Sequence, residues 1–278
     1  MIRKYFTKVI KMLKHQIYAL GIDEMHDMIV DKHIKDIRGE KKNPLLDAGF
    51  SYFSQIDEDG ITREILKRIG TWGKQGIFLE LGVGTGLQNN SLYLLAQGWS
   101  GTWIGGQNLD FEIPLNSRLT FTKEWITQEN VIEILDKSRV LTQKIDFLSI
   151  DLDGNDYYIT KKILEVTNPS LVVLEYNGYV PEEIDWTIEY SPDHHWDKSN
   201  YFGVSLNLQN KMMKEFGYTL IVCSVGGVNA FYVKNEFLVS FADCPSEIGE
   251  LFIQANPYLY RSRRRMSSKL VMEFCKVR

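Results

Sequence analysis

Cysteine is scarce and poorly placed for any shared task. The three thiols, Cys223, Cys244 and Cys275, lie far apart, and no C-x-x-C pair or His/Cys cluster accompanies them. Nothing in this pattern resembles a disulfide framework or a zinc site, and reduced thiols in a cytosolic protein are the expectation. Long apolar runs are missing too. No stretch approaches the roughly 18 to 20 consecutive apolar residues that span a bilayer. Lysines interrupt the apolar residues of Met1 to Leu20, so no signal peptide is read there and the cytoplasm is the expected compartment. A basic excess is absent, since the net charge is -4, and a nucleic-acid partner is therefore not expected. What the chain does have is 278 residues of which 44% are hydrophobic, enough for one large α/β domain with extensions.

The opening residues have their own pattern. Ile2, Tyr5, Phe6, Val9, Leu13, Ile17 and Leu20 recur at spacings of three and four, while Arg3, Lys4, Lys8, Lys11 and Lys14 fall largely off that face. This predicts a cationic amphipathic helix that packs on the domain or on a second subunit, or that rests on an anionic membrane surface. Asp23 to Lys42 reads as a polar helix. Its His26 and His33 sit among acids at no standard metal spacing. Asn43-Pro44 marks a break.

From Ile61 onward, strand and helix patterns alternate. Strands are expected at Ile77 to Leu81, Gly101 to Ile104, Leu119 to Thr122, Ile145 to Ile150 and Leu171 to Tyr176. Helices are expected at Ile61 to Ile69, Leu87 to Gln97, Gln128 to Lys137, Tyr157 to Val166 and Gly203 to Phe216. Such repeats build a mostly parallel, doubly wound sheet with both faces covered. Tyr218 to Cys223 and Asn229 to Val233 are separated only by a tight turn at Gly226-Gly227, so they form an antiparallel hairpin. The expected organisation is a helical extension over 1–43, a ligand-binding domain over 44–239 and an appendage over 240–278. The appendage carries a basic run at Arg261, Arg263, Arg264 and Arg265, read as a solvated tail or an anion contact.

The turn Glu80-Leu81-Gly82-Val83-Gly84-Thr85-Gly86 follows an apolar strand and opens a helix. Glycines allow a tight turn and let backbone N–H groups approach a ligand, and a doubly wound sheet binds its ligand outside the carboxyl ends of its strands. The spacing is G-x-G-x-G, whereas dinucleotide binders show G-x-G-x-x-G. Glu80 suits an amino-acid ammonium group, which S-adenosylmethionine carries. The second strand ends in Gly105-Gly106 without the ribose-binding acid usual at that place, and Asp110 or Asn108 is the expected substitute.

Asp151 and Asp153 end the fourth strand, and Glu175 and Asn177 end the fifth. Neighbouring parallel strands run about 4.8 Å apart, so these four residues can converge on one hard cation such as Mg²⁺. In the alternative, Asp151 caps the next helix and Asp153 bonds the loop backbone. The insert after the fifth strand carries His194 and His195, candidate general bases near neutral pH, with Asp193 or Asp197 to orient the ring.

Five segments taken together resemble FkbM-like methyltransferases of bacterial surface-polysaccharide and natural-product gene clusters. They are Ser54-Gln55-Ile56-Asp57-Glu58-Asp59-Gly60-Ile61, Glu80 to Gly86, Ser149 to Tyr157, Val173 to Asn177 and Gly227 to Val233. The resemblance runs from Leu45 to Val239. It implies a class I, Rossmann-like fold with a seven-stranded sheet and an antiparallel last strand. It also implies methyl transfer from S-adenosylmethionine to an oxygen of a sugar, a glycan or a related polar precursor; a phosphoramidate-type capsule modification is one such chemistry. Gln55 and Asp59 are then expected near the methionine end of the cofactor, with Gly82, Gly84, Gly86 and Asp151 also in contact with it. The acid after the fourth strand and the Glu-x-Asn after the fifth look similar to catechol-type O-methyltransferases. An NAD-dependent oxidoreductase and a non-catalytic binding module are the alternatives, and a homo-oligomer is compatible with either.

Overall fold

A computed structural model describes residue 10 and residues 22–259 and 267–277. The remaining residues of the Met1 to Leu20 pattern and the run from Arg261 to Arg265 lie outside the described residues. No helix among the described residues is long and apolar enough to cross a membrane.

Seven strands form one sheet: β1 (Ile77–Leu81), β2 (Ser100–Gly105), β3 (Leu119–Lys123), β4 (Phe147–Ile150), β5 (Leu171–Glu175), β6 (Tyr218–Cys223) and β7 (Asn229–Lys234). Their order is β3-β2-β1-β4-β5-β7-β6. The first five run parallel, and β7 runs antiparallel between β5 and β6. The reversed strand is thus last in sequence but next to the edge in space. It is brought there by a turn in which the Gly227 N–H donates to the Ser224 carbonyl at 3.0 Å. The strand order reverses between β1 and β4, and a ligand crevice opens at that point in such sheets. Every residue of β4 and the first four of β5 are buried, as expected for strands covered on both faces.

The covering helices, in chain order, are α1 (Ile22–Lys41), α2 (Pro44–Asp47), α3 (Glu58–Arg68), α4 (Leu92–Ala96), α5 (Val131–Lys137), α6 (Asp156–Leu164), α7 (Leu206–Glu215), α8 (Ile248–Leu251) and α9 (Ser268–Cys275). The Asn43-Pro44 break is a docking point. Asn43 Oδ1 accepts from Leu45 N at 3.0 Å, capping α2, while its Nδ2 donates to the Ile221 carbonyl of β6 at 2.8 Å. The helix expected over Leu87 to Gln97 is shortened to α4. Its first turns are drawn off by bonds outside the helical ladder: Asn90 N and Ser91 N donate to Glu80, and Asn89 Nδ2 donates to the Val83 carbonyl. The residues after Ser240 pack into the common core through Leu251, Ile253, Val271 and Cys275, and Val30 of α1 joins the same cluster.

Candidate active site at the strand tips

The glycine turn and the end of β4 are pressed together. Gly82 has φ +84, its N–H donates to the Ile104 carbonyl at 2.9 Å, and a Cβ there would sit 1.5 Å from the Asp151 carbonyl oxygen. Only glycine fits. Gly84 at φ +51 faces open space, and Gly86 at φ +78 is closed in by Leu109, Trp103 and Phe111. Asp110 is exposed, and its N–H donates to the Thr85 carbonyl at 3.0 Å. Asn108 accepts from Lys123 Nζ at 2.7 Å. Neither side chain reaches the crevice. The polar side chain that does so at the end of β2 is Gln107.

Glu80 departs from its expected role. Its Oε1 accepts from Asn90 N at 2.9 Å, and its Oε2 accepts from Ser91 N at 3.0 Å and from the Ser91 hydroxyl. Ser91 Oγ in turn accepts from Trp103 Nε1 at 2.8 Å. Both carboxylate oxygens are engaged at the start of α4, and Glu80 is buried and does not line the crevice. Burial pushes the Glu80 carboxyl up, and the Ser91 hydroxyl and N–H bonds draw it back down.

At the ends of β4 and β5, oxygen atoms of Asp151, Asp153 and Glu175 lie within 4.8 Å of one another. The sheet register enforces this, since Leu81 lies beside Ile150 and Ile150 beside Leu174. Asp153 holds φ +54, a left-handed conformation that Asp tolerates better than most residues. Burial raises the Asp151 and Glu175 carboxyls well above the carboxylate range, and the crowding of Asp153 and Asp156 around both raises them further. Glu175 Oε2 is a buried atom without a hydrogen-bond partner. The turn itself is held by Asp156, which accepts from Leu152 N at 2.8 Å and Gly154 N at 2.9 Å. That frees Asp151 and Asp153 from the capping role offered to them as the alternative. Asn177 does not join the cluster. Its Nδ2 donates to the Asn200 and Phe202 carbonyls at 2.9 Å each, and its Oδ1 accepts from Tyr179 N at 3.1 Å, so it ties the two ends of the insert together.

Two cavities open here. The first, about 310 Å³, is lined by Gly82, Gly84, Gly105, Gly106 and Gln107 on one side and by residues of the insert on the other. No lysine or arginine lines it among the described residues. The second, about 380 Å³, is lined by Glu175, Gln55, Tyr179, Lys198 and Asn256, among others. Asp151, Asp153 and Trp196 line both.

No protein-family model and no curated protein matches this chain. Solved structures do. The MycE methyltransferase of the mycinamycin biosynthetic pathway, in complex with Mg, SAH and mycinamycin VI, is similar over 62% of this chain and 45% of its own, at 14% identity and TM-score 0.34. MycE with Mg and SAH is similar over 62% of this chain and 44% of its own, at 13% identity and TM-score 0.36. The glycopeptide N-methyltransferase MtfA with S-adenosyl-L-homocysteine is similar over 62% of this chain and 86% of its own, at 11% identity and TM-score 0.32. This chain spans less than half the length of MycE. At this level of similarity the fold class rests on the strand order, and the chemistry of the site rests on its own residues.

The insert between β5 and α7 folds over the crevice and is pinned to it. Asn155 Nδ2 donates to the Ser191 carbonyl at 2.7 Å, Tyr158 OH to the Ile188 carbonyl at 2.8 Å, and Trp125 Nε1 to the Pro192 carbonyl at 2.8 Å. His195 stacks on Trp125, with centroids 4.5 Å apart, and His194 Nε2 lies 3.3 Å from the Asp153 carbonyl oxygen. Both histidines line the glycine-walled cavity and neither lines the acid-walled one. They therefore border the glycine-walled cavity alone, whereas the Asp151 and Asp153 carboxyls border both.

The Ser54 to Gly60 segment divides in the same way. Gln55 lines the acid-walled cavity, whereas Asp59 does not. Asp59 Oδ2 accepts from Tyr52, Phe53 and Ser54 N–H groups at 2.6, 2.7 and 3.2 Å, which makes it the clasp of the preceding turn. Glu58 accepts from Asn229 Nδ2 at 3.1 Å, joining this segment to β7. Sequence reasoning missed Gln107, Trp125 and Trp196. The last two are exposed indoles in loops, and nothing in the sequence pattern marks them.

Proposed function

We propose that this chain transfers a methyl group from S-adenosylmethionine to an oxygen of a small polar acceptor, a sugar or sugar-like precursor of a surface polysaccharide. This agrees with its resemblance to FkbM-like methyltransferases. The observation that carries the reading is the partition: one glycine-walled and one acid-walled cavity share Asp151 and Asp153 as a common wall. When bound, S-adenosylmethionine supplies an electrophilic methyl group on a sulfonium.

The residues divide the work. Gly82, Gly84, Gly105 and Gly106 keep side chains out of the first cavity, and Gln107 offers an amide to a ribose hydroxyl. That cavity offers a diphosphate no lysine or arginine, and the Asp153 carboxylate opposes it, which argues against the oxidoreductase alternative. Gln55 and Asn256 offer polar side chains to acceptor hydroxyls in the second cavity. Asp153 touches both spaces and takes the proton of the attacking hydroxyl. Burial raises its carboxyl, which improves it as a base near neutral pH, and His194 beside it opposes that rise. Most of the acceleration comes from holding acceptor oxygen and methyl in line.

A second reading of the acid cluster has its own support. Three carboxylates within 4.8 Å, one with a buried and unpartnered oxygen, fit a hard divalent cation such as Mg²⁺. Asp151, Asp153 and Glu175 would hold it, and it would acidify an acceptor hydroxyl. Amide chemical-shift mapping tests the cofactor assignment: S-adenosylhomocysteine is expected to move Gly82, Gly84 and Gly106 and to leave Gly226 in place. Shifts confined to Gly226 and Gly227 would refute it. Unchanged turnover and unchanged melting in chelator would rule out the cation.

A further inference from the structure

Asp151 and Asp153 are joined in the partition by one aromatic residue, Trp196. Its indole is anchored, with Nε1 donating to the Ser199 carbonyl at 2.7 Å and the ring meeting Phe202 edge-on at 6.1 Å. Yet the residue stays 45% exposed, an unusual state for a large ring that the fold has taken care to fix. Of the three residues lining both cavities, the Asp153 carboxylate and the Trp196 π system attract positive charge, while burial disfavours the charge on Asp151.

We propose that Trp196 recognises the charge on the cofactor's sulfur, so that the site prefers the sulfonium form over the neutral thioether. This inference rests on the methyl-transfer reading above. In the transfer, the S–CH₃ bond breaks as the O–CH₃ bond forms, the bonding pair returns to sulfur, and the hydroxyl proton passes to Asp153. Sulfur therefore loses its positive charge in the same step. An indole face beside it holds the reactant cofactor and loses its attraction to the product, which favours release of S-adenosylhomocysteine. Because a single ring contributes to both cavities, this preference acts where the methyl crosses.

Calorimetry on the full chain with two ligands tests this. Sinefungin carries an ammonium where the methylsulfonium stands, and S-adenosylhomocysteine is neutral there. The wild type is expected to bind sinefungin about five- to tenfold more tightly, from a partly desolvated cation–π contact. Trp196→Leu is expected to reduce that ratio to about two or less, whereas Trp196→Phe keeps most of it. The ratio within each variant cancels any general loosening of the insert. A ratio unchanged in Trp196→Leu, or a wild-type ratio near one with S-adenosylhomocysteine still bound, overturns the inference alone. A wild type that binds neither ligand overturns the cofactor reading and this inference with it.

Discussion

The His194 ring lies against Gly154 so closely that a Cβ on Gly154 would fall 2.2 Å from the His194 Cδ2 and 2.5 Å from its Nε2. Gly154 has no positive φ, so alanine is conformationally acceptable there and its cost is steric alone. Gly154→Ala should push the ring aside and disturb the insert over the glycine-walled cavity. Affinity for S-adenosylhomocysteine is expected to fall about tenfold, with a small change in melting temperature. The double variant Gly154→Ala, His194→Ala should recover most of that affinity, since the clash goes with the ring. Calorimetry on Gly154→Ala, on His194→Ala and on the double variant decides it, and additive losses would contradict the steric account.

Two neighbouring glycines should behave differently. Gly82→Ala places a methyl group on the Asp151 carbonyl at a left-handed φ, so a loss of more than about 3 kcal/mol, or failure to fold, is expected. Gly84→Ala meets open space and only the left-handed penalty, about 1 to 2 kcal/mol. Urea unfolding of the two variants measures the difference, and equal losses would deny the close approach of Gly82 to the Asp151 carbonyl.

Glu80 is expected to govern stability and not ligand charge. Glu80→Gln replaces an acceptor of three protein donors with an amide, which leaves at least one buried donor unpaired. A loss of about 2 kcal/mol follows. Equilibrium unfolding should show it, while affinity for S-adenosylhomocysteine changes less than about threefold. A large affinity loss in a variant of unchanged stability would restore Glu80 to the ligand.

The acid-rich interior should make the fold sensitive to rising pH. Burial pushes the Asp59 carboxyl up to about 7, against the pull of the Phe53, Tyr52 and Ser54 N–H bonds. The folded state then keeps a proton that the unfolded chain releases near pH 4, roughly the ordinary Asp value. The resulting stability is complete below about pH 4 and is lost as pH climbs to about 7. Asp59→Asn should flatten this slope by about one proton, or roughly 1.4 kcal/mol per pH unit. Part of the slope should remain, because burial also raises Asp57 and Glu175. Urea titrations across pH 4 to 8 measure it, and equal slopes in both proteins would contradict the raised carboxyl.

The sheet was legible because apolar runs and breakers are local signals. The strands expected at Ile77 to Leu81 and Tyr218 to Cys223 keep their expected ends in β1 and β6. The meeting of Asp151, Asp153 and Glu175 was also legible, since strand spacing alone brings the tips of β4 and β5 together. What failed was the reading of polar side chains whose bonds go to the protein's own backbone. Glu80 serves Ser91, Asp59 serves the turn before it, and Asn177 serves Asn200 and Phe202. Each is a polar residue beside a motif, and residue type does not tell whether its bonds go to ligand or to backbone. Gln107, Trp125 and Trp196 escaped because loop residues carry no periodicity.

On the proposed reading, the glycine-walled cavity takes a sulfonium nucleoside and not a dinucleotide. Parallel calorimetric titrations of the full chain with S-adenosylhomocysteine and NAD⁺ test it most directly. One molecule of S-adenosylhomocysteine per chain, with no heat from NAD⁺ at the same concentration, is the predicted result. Binding of NAD⁺ with silence from S-adenosylhomocysteine at millimolar concentration would contradict it.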